Sequence, residues 1–429
     1  DIIKDTPRLR SIPNHGGYID QSGYTLIHHD EFNLMEYITR QSNENEVDLE
    51  ASINQTVNTT LESGRAQWAI DLITDSQKHD QSCLKSGALV FRIHHWIGDG
   101  LRLSQLGSRF LKFVDGSPAE IAAIKKMLRK RRNHNHHAAD MNANKSAFSL
   151  FSDRLRVLYM FSRDFFTALT LDKMRPEDEN CIHKPDTLFE RDGRSTASSY
   201  VDFAHIKHIR EYYTTPSKHV TLNDVVFSAF CGAIDRYAEL KGQPIKEGGI
   251  MRCMCAFALP DTQSNRTPGD TFNNFLLPSL DMAVGPQYAG NREERLRTVC
   301  GTNNVMKTSM VAFISTKLVD ILVRLGLDSL ILETQKRLWK KHSLIYSNVP
   351  GFEQRVHLLD ATHTVERLAV YYPNMVSQSI FVSYCDKLCF SLTADYKQVE
   401  DPNALVSAFA EEISSWMEEI NLQKSKIEN

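Results

Sequence analysis

The residues best suited to chemistry are two adjacent histidines, His94 and His95, followed at short spacing by Asp99 and Gly100. The preceding residues 87–93 are rich in branched and aromatic side chains, which predicts a β-strand that ends at the histidines. Because side chains alternate along a strand, the two rings would point to opposite faces, and a given cleft would receive only one of them. The pattern therefore predicts a single general base and argues against a metal ion held by both rings.

One positioned histidine is sufficient for acyl transfer from a thioester. Imidazole titrates near neutral pH, so it can take a proton from a hydroxyl group and return it later. A thiol with a pKa of about 8.5 is a good leaving group, so no serine or cysteine nucleophile is needed. Holding the hydroxyl and the thioester together could remove roughly 7–11 kcal/mol of the barrier in the best cases. Asp99 is then better suited to fix the turn before a helix, which the apolar spacing predicts over residues 101–114.

The run from His94 to Gly100 resembles the His-His-x-x-x-Asp-Gly signature of the chloramphenicol-acetyltransferase-like superfamily, which includes CoA-dependent acyltransferases and peptide-synthetase condensation domains. Further segments, taken in order, resemble more narrowly the bifunctional wax ester synthase/diacylglycerol acyltransferase family. They are Leu61–Trp68, similar to the segment that ends in Pro-Leu-Trp; Leu222–Val226, similar to the Asn-Asp-Val-Val helix start; Phe272–Phe275, similar to the Gly-Asn-x-Phe-Gly element; and Ser347–Gly351, similar to the Ser-Asn-Val-Pro-Gly turn. The resemblance extends from about Pro7 to the C-terminus.

This resemblance implies an α/β fold with two chloramphenicol-acetyltransferase-like domains and an active site in a cleft or tunnel between them. It also implies a catalytic group in which His95 is the base, His94 is its structural neighbour and Asp99 follows in the same motif. The residues that it implies for substrate binding or for the shape of the tunnel are Gly100, Trp68, Asn223, Asp224 and Asn273.

Three of these candidates also have ordinary structural roles open to them. Thr221 and Asp224 have the spacing of a capping box, so Asn223 and Asp224 could simply begin a helix. Asn273 could serve only to hydrogen-bond within a loop, although the resemblance makes it a candidate for contact with the thioester or the CoA arm. Both readings stay open from the sequence.

The domain organisation is expected to have three parts. Residues 1–115 would form the N-terminal acyltransferase domain, 116–195 a crossover linker with basic and amphipathic stretches, and 196–429 the C-terminal acyltransferase-like domain. Family members carry a segment before the position that matches Pro7, so we expect the first domain to lack its first segment. Three departures from the family pattern bear on the shape of the tunnel: Ala66-Gln67 replaces Pro-Leu, and Phe272 and Leu276 replace glycines.

The activity that the resemblance implies is transfer of a fatty acyl group from acyl-CoA to a long-chain alcohol or a diacylglycerol, giving wax ester or triacylglycerol. No metal and no cofactor besides the co-substrate acyl-CoA are expected. The expected partners are these substrates and the surface of a membrane or lipid droplet, on the cytoplasmic side of the endoplasmic reticulum or plasma membrane in a eukaryote. Two alternatives remain: a condensation-type acyltransferase that uses a carrier-bound thioester, and a non-catalytic lipid-binding homologue.

Composition agrees with a globular enzyme of this size. The 429 residues are 41% hydrophobic, which supports two or three domains with sizeable cores. The net charge of −3 gives no general attraction to nucleic acid. Eight cysteines without a Cys-x-x-Cys pair indicate a reducing compartment, and Cys253 and Cys255 are expected to be buried thiols. No apolar run reaches the 18 or so residues of a membrane span, so we expect any work on lipid to take place at a membrane surface.

The crossover region holds two stretches with alternative interpretations. Residues 125–137 are strongly basic and include His134, His136 and His137, so they could form a flexible linker, attract anionic lipid headgroups or hold a metal. Residues 148–171 predict an amphipathic basic helix, which could lie in a bilayer interface or pack on the first domain.

The remaining elements are predicted from periodicity and turn residues. We expect a strand near Ser198–Phe203, a helix from the Thr221 cap to Gly242, a strand over Ile250–Leu259, a helix over Ser309–Leu332, a hairpin of Ser379–Tyr384 and Lys387–Tyr396, and a closing helix with an apolar stripe of Leu405, Phe409, Ile413, Trp416 and Ile420.

Overall fold

The computed structural model describes residues 2–13, 24–43, 49–75, 87–119, 121, 162–167, 170, 175–190, 192–217, 219–258, 275–358 and 363–428. In the N-terminal half the elements are α1 (Ile2–Asp5), β1 (Ser11–Pro13), β2 (Tyr24–Leu26), β3 (Ile38–Asn43), α2 (Leu49–Asn58), β4 (Trp68–Asp75), β5 (Gly87–Ile93), α3 (Gly100–Ser108) and β6 (Leu111–Phe113). In the C-terminal half they are β7 (Arg194–Asp202), α4 (Phe203–Tyr213), α5 (Leu222–Leu240), β8 (Arg252–Cys255), β9 (Phe257–Ala258), β10 (Phe275–Leu276), β11 (Ser279–Asp281), α6 (Arg292–Thr308), α7 (Val311–Arg324), α8 (Asp328–Lys340), β12 (Leu344–Val349), β13 (Val356–Leu358), β14 (Ser377–Tyr384), β15 (Lys387–Asp395) and α9 (Pro402–Glu428).

Two sheets organise the two halves. The N-terminal sheet has the order β3-β4-β5, with β3 parallel and β5 antiparallel to β4, so the histidine motif follows an edge strand. The C-terminal sheet has the order β11-β8-β12-β14-β15-β7, in which β12 is parallel to both of its neighbours. A separate two-stranded sheet joins the halves, because β6 of the N-terminal half pairs antiparallel with β13 of the C-terminal half.

The main core lies in the C-terminal half, where α5 and α9 pack against the larger sheet. The helix predicted after Thr221 is confirmed as α5, whose residues Val226, Phe230, Ala233 and Tyr237 are all buried. The stripe predicted for the closing helix is confirmed as well, because all five of its apolar residues are buried in the same cluster. These two helices and the larger sheet therefore share one hydrophobic core.

Several local predictions hold in detail. A capping box begins α5: the Thr221 hydroxyl accepts from the Asp224 backbone N–H at 3.2 Å, and the Asp224 carboxylate accepts from the Thr221 backbone N–H at 2.8 Å. The predicted hairpin is β14 and β15 with its turn at Cys385, whose φ is 54°. Cys253 and Cys255 are buried, and burial raises the pKa of Cys255 to about 12. The strand expected near Ser198 begins earlier, at Arg194.

Three element predictions are wrong in their extent. The helix expected over 101–114 stops at Ser108, because residues 111–113 pair with β13 and pack beside Phe352 and Val356. The helix expected over 309–332 is two helices, α7 and α8, separated at Gly326, whose φ of 67° lies in the left-handed region. The strand expected over 250–259 is β8 and β9, interrupted at Ala256.

Some predictions fall on parts of the chain that the structure does not describe. These are the basic stretch 125–137, most of the stretch 148–171 and Asn273; of the second stretch, residues 162–167 are helical. The domain limits at 115 and 195 stay predictions. Among the described residues, no helix has both the length and the apolar character that crossing a membrane requires.

Candidate active site

The histidine motif lies in a tight connection between β5 and α3. The His94 backbone N–H donates to the Gln67 carbonyl at 2.9 Å, and the Ile97 backbone N–H donates to the His94 carbonyl at 3.1 Å. Ile97 is fully buried and anchors the turn in the N-terminal core. Asp99 is buried and caps α3, since its carboxylate accepts from the Arg102 backbone N–H at 3.0 Å. The geometry therefore assigns Asp99 a structural contact that orients the start of α3.

His95 lies where the two halves of the chain meet. Its ring is 5.3 Å from the ring of Phe275 and 5.2 Å from the ring of Tyr372, measured between centroids. Both aromatic residues come from the C-terminal half, whereas His95 follows the edge strand of the N-terminal sheet. Side chains of the C-terminal half therefore contact the imidazole of a residue in the N-terminal half.

A large cavity opens at this junction. Its volume is about 4100 Å³, and the residues that line it include His95 and Gly100 from one half and Asn223, Tyr346 and Tyr372 from the other. Such a space is far larger than a typical small-molecule pocket of about 300–1,000 Å³. It has room for a long substrate together with a second one.

His94 and His95 both line this cavity, as do residues from both faces of β5, so the expectation that a given cleft receives only one of the two rings stays a prediction. β5 ends at Ile93, so the two histidines lie beyond the strand and need not follow its alternation. Nδ1 of His94 accepts from the Trp96 backbone N–H at 3.3 Å. Burial lowers the pKa of His94, and charge on His95 lowers it further, so His94 favours the neutral form.

Asn223 lines the cavity at the first turn of α5, and two hydrogen bonds hold its side-chain amide in place. Its Oδ1 accepts two hydrogen bonds at 3.0 Å, one from the Tyr346 hydroxyl and one from Nδ2 of Asn348. Asn348 belongs to the Ser-Asn-Val-Pro-Gly segment, so two separate sequence motifs meet at this point. With both lone pairs of Oδ1 engaged, the Asn223 side chain has its Nδ2 donors left for other contacts.

Asp224, by contrast, is committed to structure. It is buried, and it does not appear among the residues that line the cavity. Its carboxylate accepts from the Thr221 hydroxyl at 2.7 Å and from Nδ2 of Asn303 at 2.7 Å, besides completing the capping box. Asp224 therefore caps α5 and lies outside the cavity lining.

The glycine of the Ser-Asn-Val-Pro-Gly segment is required by a close backbone approach. A Cβ at Gly351 would collide with the carbonyl of Ser383 on β14. The Gly351 backbone N–H donates to the Ser383 hydroxyl at 3.1 Å. This contact holds the end of β12, and with it Asn348, against the sheet.

Trp68 does not line the cavity, which corrects the expectation that it shapes the tunnel. It is buried in the N-terminal core, where its ring stacks on Tyr37 at 5.0 Å between centroids. Its Nε1 donates to the Leu9 carbonyl at 2.7 Å. Trp68 therefore packs the N-terminal sheet against the start of the chain.

Three of the cavity residues have contacts that sequence reasoning missed. Tyr346 and Asn348 lie on β12 inside or beside a recognised motif, but nothing in their spacing indicated a contact with Asn223. Tyr372 lies in the irregular segment before β14, where no periodic pattern exists to place a side chain. Contacts across the junction of this kind depend on the tertiary fold.

Within the described ranges, His28, His29 and Asp30 form a group whose ligand atoms are close enough for a metal ion. All three are exposed, and they are not part of the cavity lining. The histidine motif itself is not such a group.

Comparison with known proteins agrees with this geometry. Residues 273–416 match the WS/DGAT C-terminal domain. The fold is similar to that of the wax ester synthase/diacylglycerol acyltransferase from Marinobacter aquaeolei VT8, with a TM-score of 0.56 and 15% identity over 96% of this chain and 85% of that one. It is also similar to the EpoB cyclization-docking bidomain from Sorangium cellulosum, with a TM-score of 0.52 and 10% identity over 97% of this chain and 74% of that one. No curated protein matches the sequence significantly.

These findings confirm the predicted fold class and the predicted resemblance. The chain has an α/β fold of two chloramphenicol-acetyltransferase-like domains, and the cavity with the histidine motif lies between its two halves. At these identities the structural similarity shows the fold alone, and the resemblance to the WS/DGAT family in sequence is limited to residues 273–416.

Proposed function

We propose that the chain is an acyltransferase of the WS/DGAT type, which acylates a long-chain alcohol or a diacylglycerol from acyl-CoA. The match of residues 273–416 to the WS/DGAT C-terminal domain supports this proposal. The products would be wax ester or triacylglycerol and free CoA. The observation that carries the proposal is the place of His95, a titratable side chain that lines the cavity and contacts aromatic rings from the opposite half.

In the proposed reaction, His95 takes the proton of the acceptor hydroxyl as its oxygen attacks the thioester carbonyl. The carbon–sulfur bond then breaks, and the proton passes from His95 to the departing thiolate. His94 and Asp99 would hold the turn that presents His95, and Gly100 would let α3 begin beside the substrate. Holding both substrates in one cavity supplies proximity, which is the main requirement when the leaving group is a thiol.

Asn223 is the second residue that we place at the reacting centre. Because its Oδ1 already accepts from Tyr346 and Asn348, its Nδ2 is the group left to donate a hydrogen bond to the thioester oxygen. Charge develops on that oxygen in the transition state, so a fixed donor there would lower the barrier. Asn273 is proposed as a further polar contact for the thioester or the CoA arm, on the basis of the sequence alone.

The substrates also suggest where the protein works. Long-chain alcohols and diacylglycerols reside in membranes and lipid droplets, so we propose peripheral contact with such a surface from the cytoplasmic side. The basic stretch 125–137 supports this proposal, since lysines and arginines near an anionic surface contribute on the order of 1 kcal/mol each.

The test is release of free thiol from palmitoyl-CoA, with hexadecanol and dioleoylglycerol added in separate reactions. Release that depends on either acceptor supports the proposal and ranks the acceptors. Turnover of a carrier-bound acyl thioester without any turnover of palmitoyl-CoA would favour the condensation-type alternative. Binding to liposomes without turnover of either thioester would favour a lipid-binding protein.

A further inference from the structure

A serine and a histidine meet in the same cavity without involving the histidine motif. Ser279 is the first residue of the edge strand β11 and is half-buried. His342 follows the end of α8 and is only 2% exposed. The Ser279 hydroxyl oxygen is 2.9 Å from Nε2 of His342, and both residues line the cavity.

The surroundings of His342 fix which atom donates in this contact. Nδ1 of His342 is 2.6 Å from the carbonyl oxygen of Leu338. A carbonyl only accepts, so Nδ1 carries the hydrogen, and in the neutral ring Nε2 is then an acceptor. The Ser279 hydroxyl must therefore donate to Nε2, which is the arrangement of a nucleophile with its general base. Burial lowers the pKa of His342 to about 4, so the ring is neutral at physiological pH.

A cation completes the arrangement. Nη1 of Arg175 donates to the Ser279 hydroxyl oxygen at 3.2 Å, and it lies 3.5 Å from a carboxylate oxygen of Asp281. Arg175 lines the same cavity and is partly exposed, so its side chain can reach a molecule bound there. A guanidinium in this position stabilises negative charge that develops on an oxygen bonded to the attacked carbon.

We propose that Ser279 and His342 are a second catalytic pair, which hydrolyses acyl esters or thioesters through an acyl-serine. The Ser279 oxygen attacks the carbonyl carbon while His342 takes the hydroxyl proton. The bond to the leaving oxygen or sulfur breaks, and His342 returns the proton to the leaving group. Water then attacks the acyl-serine, its proton passes through His342 to Ser279, and the carboxylic acid leaves. The pair uses neither His95 nor Asn223, so it does not rest on the proposed function.

The first test is covalent labelling with a fluorophosphonate, in which the serine oxygen bonds to phosphorus and fluoride leaves. We expect mass spectrometry to find the label on Ser279 in the wild type and in His95→Ala, and to find none at this site in Ser279→Ala. Ser104→Ala is the matched control, because Ser104 also lines the cavity but its hydroxyl donates to the Gly100 carbonyl at 2.7 Å. That variant should label at Ser279 like the wild type.

The second test asks whether the partners activate the serine. His342→Gln should slow labelling by about 100-fold or more. Because His342 is buried and the variant can fail to fold, Arg175→Ala at the partly exposed position gives an independent measure and should slow labelling at least tenfold. Hydrolysis of p-nitrophenyl butyrate should persist in His95→Ala and disappear in Ser279→Ala. Absence of label on Ser279 in folded protein, or labelling as fast in Arg175→Ala as in wild type, would overturn the proposal.

Discussion

At the scale of single residues, the junction between the halves is built from side chains whose hydrogen bonds are already partly engaged. Asn223 is the clearest case, because Tyr346 and Asn348 both donate to its Oδ1 and fix the direction of its amide. Tyr346 is only 1% exposed, so its hydroxyl has little access to solvent. Removing Asn223 therefore acts on stability as well as on any substrate contact.

Asn223→Ala should lower the free energy of unfolding by about 1–3 kcal/mol, because it leaves a buried hydroxyl without its acceptor. Tyr346→Phe removes that hydroxyl, so the double variant should be more stable than the sum of the two single changes predicts. Urea unfolding of the four proteins measures this coupling. Strict additivity would show that the hydrogen bond between Asn223 and Tyr346 contributes nothing.

Buried histidines make the stability depend on pH. Burial lowers the pKa of His183 to about 4, against an ordinary value of 6.5, and His183 is 1% exposed. Between these two values the unfolded chain binds more protons than the folded one, so the free energy of unfolding rises with pH. The stability from this residue is therefore present above pH 6.5 and is lost as the pH falls towards 4.

His183→Gln should reduce that acid sensitivity. Glutamine does not titrate, and its amide can replace the contact of Nε2 with the Lys340 carbonyl, which is 3.1 Å long. Between pH 6.5 and 4 the wild type should lose roughly 2–3 kcal/mol more than the variant, as measured by urea unfolding at each pH. At pH 8 the comparison serves as a control for direct effects of the substitution. Equal losses on acidification would rule out the assigned role of His183.

At the scale of elements, the sequence predicts correctly the features that depend on residues close together in the chain. The capping box at Thr221, the stripe of α9 and the β14–β15 hairpin all depend on residues close together in the chain, and all are confirmed. The helix over 101–114 was overestimated, because β6 is stabilised by β13, a strand distant in sequence. Periodicity alone could not show that a partner strand competes for these residues.

The packing of α5 against α6 and α9 depends on a glycine that no pattern identified. A Cβ at Gly232 would collide with the guanidinium of Arg295 and the carboxylate of Glu412. Arg295 and Glu412 form a buried ion pair at 3.1 Å, and Arg236 and Arg292 also contact Glu412. Burial alone would raise the pKa of Glu412, but Arg292 and the other arginines hold it below its ordinary value.

Gly232→Ala should lower the free energy of unfolding by about 3 kcal/mol or more, because it forces a buried ion pair apart. Gly301→Ala is the matched control, since Gly301 lies within α6 and a Cβ there meets nothing within 4 Å. That change should stabilise the protein by about 0.5–1 kcal/mol, as alanine does in a helix. Thermal or urea unfolding distinguishes the two, and equal effects would contradict the packing described for α5.

At the scale of the whole molecule, the N-terminal half protects an edge of the C-terminal sheet. The edge strand β7 receives α2, whose Asn54 accepts from the Thr196 backbone N–H at 2.6 Å. Asn58 accepts from the Arg194 backbone N–H at 2.8 Å and donates to the Arg194 carbonyl at 2.7 Å. Unpaired backbone N–H and C=O groups on an edge strand can pair with another chain. These contacts therefore both join the two halves and cover part of the edge of the sheet.

Asn58→Ala should expose the start of β7. We expect hydrogen exchange of the Arg194 amide to accelerate by about tenfold, which corresponds to the loss of one hydrogen bond of about 1.4 kcal/mol. Peptides covering residues 192–200 report this change by mass spectrometry. The amides of β11, the opposite edge of the sheet, are the internal control and should keep their rate. An unchanged rate at Arg194 would mean that α2 does not protect the edge.

The candidate site shows the same division between local and distant information. His95, Asp99 and Asn223 each follow or begin an element that local patterns indicate, and all three line the cavity. Sequence reasoning misplaced Trp68, whose direction depends on how β4 packs on the N-terminal core. The aromatic rings around His95 come from distant parts of the chain, and one sequence does not show which of them meet.

The most direct measurement compares acyl transfer by the wild type, His95→Ala and His219→Ala, all confirmed as folded by their thermal unfolding. His219 is the matched control, because it is another histidine that lines the cavity. We predict that acceptor-dependent release of CoA from palmitoyl-CoA falls by about 10²–10⁴-fold in His95→Ala and stays near the wild-type rate in His219→Ala. Full transfer by folded His95→Ala would contradict the assignment of His95 as the general base.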